Sequence, residues 1–208
     1  LSGVAPITPR YYVDEKAIVV TPYHRVISRL RELSRGAGKH GTCGSGIGET
    51  MRIVVNNPDL VLRVEDFRRD NGITIGIMED LRKFMFEQFK QFRDSLVIDD
   101  FVKTELRIFE HVDKTRYATY PVVENLKSII QSLNVLDAEG VHKLIKEHQT
   151  VIFEGAQGVL LDQDYGTYPY NTWSTTTSEN AHRIIADVDS DVRAEEIGVI
   201  RTFLTRHG

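Results

Sequence analysis

TVIFEGAQGVLLDQDYGTYPYNTWSTTT, residues 150–177, is the stretch that decides how the rest of the chain is read. Val151, Ile152 and Phe153 form a short apolar run that breaks into Glu154-Gly155-Ala156-Gln157-Gly158. An apolar run of this length bounded by glycine predicts a buried strand, most often in a parallel sheet. Ligands of open α/β sheets sit just beyond the carboxyl ends of the strands. Gly155 and Gly158 let the backbone come close to a ligand, because no Cβ stands in the way. Gln157 places an amide, both donor and acceptor, at the sheet edge. The DQDYGTYPYNT segment that follows is polar and aromatic and predicts a structured loop. Thr167, Thr172, Thr175, Thr176 and Thr177 supply hydroxyls of the kind that meet phosphate and sugar oxygens. On composition alone the stretch is either a ligand site or a common glycine-rich turn after a strand.

The whole chain sets bounds on that choice. Its 208 residues, 41% of them hydrophobic, suffice for one good core. A net charge of −4 speaks against a general nucleic-acid binder, which would carry a basic surplus. No apolar run approaches the ~20 residues that cross a bilayer, and no signal peptide is visible. The single cysteine, Cys43, excludes an internal disulfide framework and fits a reducing, cytoplasmic setting. The chain starts at Leu1 and stops at Gly208 directly after a strand-like run, which suggests a piece of a longer protein.

Working outward, Pro6, Pro9 and Pro22 disfavour helix over residues 1–22, and Ala17-Ile18-Val19-Val20 predicts a short strand. Thr21-Pro22 reads as an N-cap followed by proline at the first helical position. Val26, Ile27, Leu30 and Leu33 then fall at helical spacing from Tyr23 to about Arg35. His24 is either a catalytic group or a capping histidine at that helix start. Gly36 to Thr50 is too dense in glycine for a regular element. It is either a flexible surface loop or a phosphate cradle in which backbone amides face an anion. It is not a P-loop, since no G-K-[ST] follows. Helices are predicted over residues 76–95, 101–112, 121–133 and 137–148, with their charged residues as solvated faces. In the first of these, Ile77, Leu81, Phe84, Phe89 and Phe92 mark the packing face. Residues 174–191 are polar and show no clear element. Residues 197–204 predict a β-branched strand.

The string FEGAQG-LLD-D-GTYPY-T closely resembles the adenylosuccinate synthetase family, purine enzymes that join aspartate to IMP using GTP. Two further segments resemble the same family. Residues 19–32 match a VxxPYHxxxxxxRE pattern, and residues 41–48 match the GTTGRGIGP loop at Gly41, Thr42, Gly44, Gly46, Ile47 and Gly48. Three positions depart from that loop: Cys43 replaces threonine, Ser45 replaces arginine and Glu49 replaces proline. These changes suggest a divergent branch or a modified nucleotide substrate. The resemblance implies an α/β fold with a mostly parallel sheet flanked by helices, P-loop-NTPase-like and incomplete at both ends. It implies that residues 1–208 are the central part of a single domain with a helical insertion around 76–148.

The same resemblance implies the site. Gln157 would lie near the purine 6-position and Thr172 near the 5′-phosphate. Thr42, Cys43 and Gly44 would complete the IMP-binding set. Gly155 and the terminal Arg206, His207 and Gly208 would line the pocket, with Arg206 either structural or pocket-lining. An arginine crossing a dimer interface would be Arg52 or Arg63. Asp162 and Asp164 either take a metal or base role or cap turns. No catalytic residue and no metal ligand is assigned within this chain. Mg2+ and GTP belong to the complete enzyme, their ligands mostly outside residues 1–208, so the piece alone is expected to be inactive. IMP, L-aspartate and GTP are the implied partners, in a cytoplasmic homodimer without nucleic acid or membrane. Two alternatives stand beside this ligase: aspartate ligation to a guanine nucleotide, and a non-catalytic nucleotide-binding or dimerisation domain.

Overall fold

A computed structural model describes residues 10–69, 71–110, 119–188, 192 and 194–200. Strand β1, Tyr12–Asp14, opens the described chain. Helix α1, Pro22–Ser34, follows the Thr21-Pro22 signal as expected: Thr21 is extended at the N-cap and forms a capping box with His24. Its inward face carries Tyr23, Val26, Ile27 and Leu30, none more than 5% exposed.

Helix α2, Ile47–Asn56, begins inside the segment expected to be irregular. The physical reason lies at Gly46. Its φ of 91° turns the chain sharply, after which Ile47-Gly48-Glu49-Thr50 is free to coil. Gly48 costs such a helix roughly 1 kcal/mol relative to alanine, a cost offset by burial of Ile53 and Thr50. Helix α3, Asn71–Lys90, starts five residues before the expected span. Leu81 and Phe89 are in the core as predicted, while Ile77, Phe84 and Phe92 pack at its margin and Met78 and Met85 occupy its centre. Arg82, expected on a solvated face, is 4% exposed and forks onto Glu79.

Helix α4, Asp100–Glu110, places Phe109 against Tyr23, ring centroids 5.5 Å apart, and against Phe86 at 5.6 Å. Residues 111–112 of the expected span lie outside the described residues. Helix α5, Tyr120–Gln131, buries Val123 and Ile130. Strand β2, Asn134–Leu136, leads into α6, Ala138–Lys146, whose first turn is capped by Asp137 accepting from the Gly140 N–H at 2.8 Å. Helix α7, Glu179–Val188, forms in the polar stretch that showed no clear element.

The fold is α/β with a parallel sheet, but the sheet is small. Strands β1 and β2 pair in parallel with Tyr12 opposite Asn134 and Asp14 opposite Leu136. Three expected strands do not form as such. Ala17–Val20 makes only an isolated antiparallel bridge between Ile18 and Arg63. Val151, Ile152 and Phe153 are irregular and exposed, Ile152 at 86%. Residues 197–200 are likewise irregular and exposed, while 201–204 lie outside the described residues. A strand's backbone groups are satisfied by a neighbouring strand, and no described strand lies alongside either run. Among the described residues no helix is long and apolar enough to cross a membrane.

Candidate functional site

The glycine loop lies flush against the first turns of α1. A Cβ built on Gly46 would sit 2.9 Å from the Arg25 backbone nitrogen and 3.0 Å from the His24 carbonyl carbon. Only glycine fits there, both for space and for its positive φ. The loop's start is tied to the other end of α1. Glu32 Oε1 accepts from the Gly41 N–H at 2.6 Å and the Thr42 N–H at 3.3 Å, while Arg35 Nη1 donates to Oε2 at 2.5 Å. Its end is tied too. Glu49, on α2, accepts from Arg31 Nε at 2.8 Å and lies 3.6 Å from Arg52 Nε. Cys43 is exposed, and its thiol donates to Ser45 Oγ at 3.3 Å. Hydrogen bonding with the side chain and backbone of Ser45 holds that thiol's pKa below its ordinary value.

A cleft of about 250 Å3 opens beside this loop. Thr42, Cys43 and Gly44 line it with Arg29, Lys39 and Phe101. Leu33 and Glu32 also line this mainly apolar cleft. Arg29 is engaged by Glu105 and Glu32 by Arg35, which leaves Lys39 as the cation that favours an anionic ligand there.

The second loop is built around one carboxylate. Asp162 is fully buried. Its Oδ1 accepts from the Asp164 and Tyr165 N–H groups at 2.9 and 3.2 Å, and its Oδ2 from the Thr176 N–H at 2.6 Å and the Thr176 hydroxyl at 3.3 Å. The N–H groups of Thr176 and Asp164 lead in holding its carboxyl below the usual range, despite burial. Asp162 thus has the turn-capping role of the two foreseen for it. Gly166 closes the turn, where a Cβ would run into the Asp162 carbonyl oxygen. The Thr172 N–H donates to the Leu161 carbonyl at 2.7 Å, fixing the far strap of the loop. Among the described residues no group of three or more His, Cys, Asp or Glu side chains is arranged to hold a metal.

The two loops meet through rings. His40, next to Gly41, and Tyr170, two residues before Thr172, have centroids 6.4 Å apart at an angle of 70°. Thr172 is half-buried on this side, whereas Gln157 is exposed with φ 73° and Gly155 is exposed. Neither Gln157 nor Thr172 is among the residues lining the cleft. Arg206, His207 and Gly208 lie outside the described residues. His24, the other candidate, is a cap: its Nδ1 accepts from the Thr21 N–H at 3.0 Å, and burial pushes its pKa down to about 4. Arg63 Nη1 donates to the Lys16 carbonyl at 2.7 Å.

A family model described as adenylosuccinate synthetase matches residues 2–208. The chain belongs to the adenylosuccinate synthetase family. A relative of that name from Clostridium botulinum (strain Langeland) is 33% identical over 205 residues, covering 97% of this chain and 43% of its own length. The adenylosuccinate synthetase of Halothermothrix orenii is 33% identical over 201 residues, covering 95% of this chain and 41% of the relative. The chain thus spans less than half the length of these curated relatives. A solved structure, a fully ligated adenylosuccinate synthetase from Plasmodium falciparum, superposes with a TM-score of 0.53 at 18% identity, over 83% of this chain and 36% of that one. That likeness bears on the fold, which is the α/β fold of adenylosuccinate synthetases.

Two departures from the loop pattern of adenylosuccinate synthetases acquire a physical reading. Glu49, in place of proline, is 6% exposed and serves as an ion-pair partner that ties α2 to Arg31. Cys43, in place of threonine, is exposed beside the cleft, with its thiol within hydrogen-bond reach of Ser45 Oγ. Sequence reasoning took in Glu32 only as the last residue of the pattern over 19–32 and gave neither it nor Arg35 a role. The Arg31-Glu32 doublet lies in the last turn of a helix that runs straight into a glycine loop.

Proposed function

We propose that this chain carries part of the IMP site of an enzyme for GTP-dependent ligation of L-aspartate to IMP, giving adenylosuccinate in purine nucleotide biosynthesis. The observation that carries the reading is the meeting of two loops of the family's pattern, Gly41–Gly48 and the GTYPY segment, through the His40–Tyr170 contact. In this reading Gln157 donates to the purine 6-oxygen as negative charge develops there, an oxyanion-hole contribution. Thr172, Thr42, Cys43 and Gly44 receive the 5′-phosphate through hydroxyls, a thiol and a backbone amide. Thiols are weak donors, so Cys43 makes the phosphate grip softer than threonine would. Gly155, Arg206, His207 and Gly208 line the pocket.

The described residues do not fit a magnesium site, since the one buried loop carboxylate, Asp162, spends both oxygens on backbone and hydroxyl donors. No step through the metal is assigned to this chain. GTP and Mg2+ are assigned to the complete enzyme, as is cytoplasmic, homodimeric assembly. Cys43 and Ser45, which depart from the family's glycine loop, favour a second reading in which aspartate is joined to a guanine nucleotide.

Calorimetric titration of the chain with IMP and with dGMP tests both. Tighter IMP binding that weakens in Thr172→Ala and Gln157→Ala supports the first reading. Tighter dGMP binding supports the second. Binding of neither overturns the nucleotide site.

A further inference from the structure

We propose that Glu32 is the positioning residue of the glycine loop: its carboxylate fixes the Gly41 and Thr42 amides and so sets the frame in which the rest of the loop meets a phosphate. The inference deepens the IMP-site reading and rests on it. Glu32 sits in the last turn of α1 and is 9% exposed. One carboxylate oxygen collects two consecutive backbone N–H groups, at 2.6 and 3.3 Å. Successive amides converging on one oxygen form the concave nest that elsewhere binds external anions. Here the first half of the nest is filled from within the chain. Further along the loop Gly44 and Gly46 are buried against α1, so Thr42 and Cys43, exposed beside the cleft, are the positions left for a ligand.

A fixed carboxylate beside a phosphate site would repel the ligand if it stood alone. It does not. Arg35 lies 2.5 Å from the other oxygen as its counter-ion. Burial opposes ionisation of Glu32, but the Arg35, Gly41 and Thr42 donors outweigh it and hold the carboxyl below the ordinary range. The clamp is therefore charged throughout the neutral range, with Arg35 paired to it.

The test compares the unsubstituted chain, Glu32→Ala and Glu32→Gln. Each is titrated with IMP and with inosine, and amide exchange at Gly41 and Thr42 is followed by NMR. Glu32→Ala is expected to weaken IMP about tenfold or more and to leave inosine within about twofold. Exchange at Gly41 and Thr42 is expected to accelerate. Glu32→Gln, whose amide oxygen still accepts both N–H groups, is expected to fall between. A merely structural role lowers both ligands alike, and an unchanged IMP-to-inosine ratio overturns the proposal. So does unchanged exchange at the two amides. If the unsubstituted chain binds no IMP, the IMP-site reading falls, and the exchange comparison, which needs no nucleotide, still decides the clamp. If Glu32→Ala does not fold, Glu32→Asp, which withdraws the acceptor oxygen by one methylene, decides: a fall in the ratio supports the clamp, equality overturns it.

Discussion

Residues 17–135 and residues 150–200 have similar apolar fractions and opposite fates. The first region holds nearly all of the shared core, from Tyr23 and Ile27 on α1 to Met78, Leu81 and Met85 on α3 and Val123 on α5. In the second, Asp162 and Val188 are the buried residues among those described. Ile152, Val199 and Ile200 are more than 80% exposed. The difference is one of where backbone hydrogen bonds come from. A helix closes its own i to i−4 bonds and needs neighbours only for its apolar stripe. A strand needs a partner strand before it exists at all. Helices α1 to α5 therefore form wherever their stripes can meet. The runs at 151–153 and 197–200 stay irregular where no described strand pairs with them.

The sharpest way to break the contrast is to remove side chains from each region. Leu81→Ala, at a site with no exposure, is expected to cost about 3 kcal/mol, within the usual range for buried leucines. Ile152→Ala is expected to stay within about 0.5 kcal/mol. Urea unfolding followed by circular dichroism measures both, and equal costs at the two sites would erase the distinction drawn here.

The same physics explains what could be read from the sequence. The Thr21-Pro22 start, the α1 stripe and the α3 to α6 helices are local, period-3.6 signals, and each is present close to its expected span. Helix α7 was legible in retrospect from Ile184, Ile185 and Val188, but its polar flanks hid the stripe. Strands β1 and β2 were not legible: three residues each, exposed at one or both ends, they are defined by each other across the whole helical region. The strand expected at Val151 failed for the complementary reason, since the run has the composition and lacks the partner. At the site, the family pattern located both loops, but the carboxylates that shape them, Glu32 and Asp162, are tertiary facts. Nothing about an isolated glutamate or aspartate announces which amides it will meet.

Acid should act on the helical region first. His24 is buried and neutral, and burial sets its pKa at about 4 against an ordinary 6.5. Between those values the unfolded chain binds more protons than the folded one, so stability is complete above about pH 6.5 and falls as the pH drops toward 4. The loss is expected to reach up to about 3 kcal/mol. Thermal melts at pH 7 and pH 4.5, with and without His24→Gln, isolate it. The glutamine variant should lose less on acidification than the unsubstituted chain. An identical pH dependence would mean the histidine titrates normally.

The smallest effect on overall stability, and the most informative about the second region, is expected from Asp162→Asn. The carboxylate accepts from four donors spread over Asp164, Tyr165 and Thr176. Asparagine keeps one acceptor oxygen and replaces the other with an N–H2 that faces the donors of Thr176. The loop from residue 158 to 176 should open, and amide exchange across it should rise. The His40–Tyr170 contact should loosen with it. The thermal midpoint of the helical region should not move, because none of those donors belongs to α1–α5. A midpoint that falls together with the loop's protection would show that the two regions fold as one cooperative unit. In that case the exposed strand-like runs would owe their state to something other than the lack of a partner strand, and the contrast between the regions would concern packing alone.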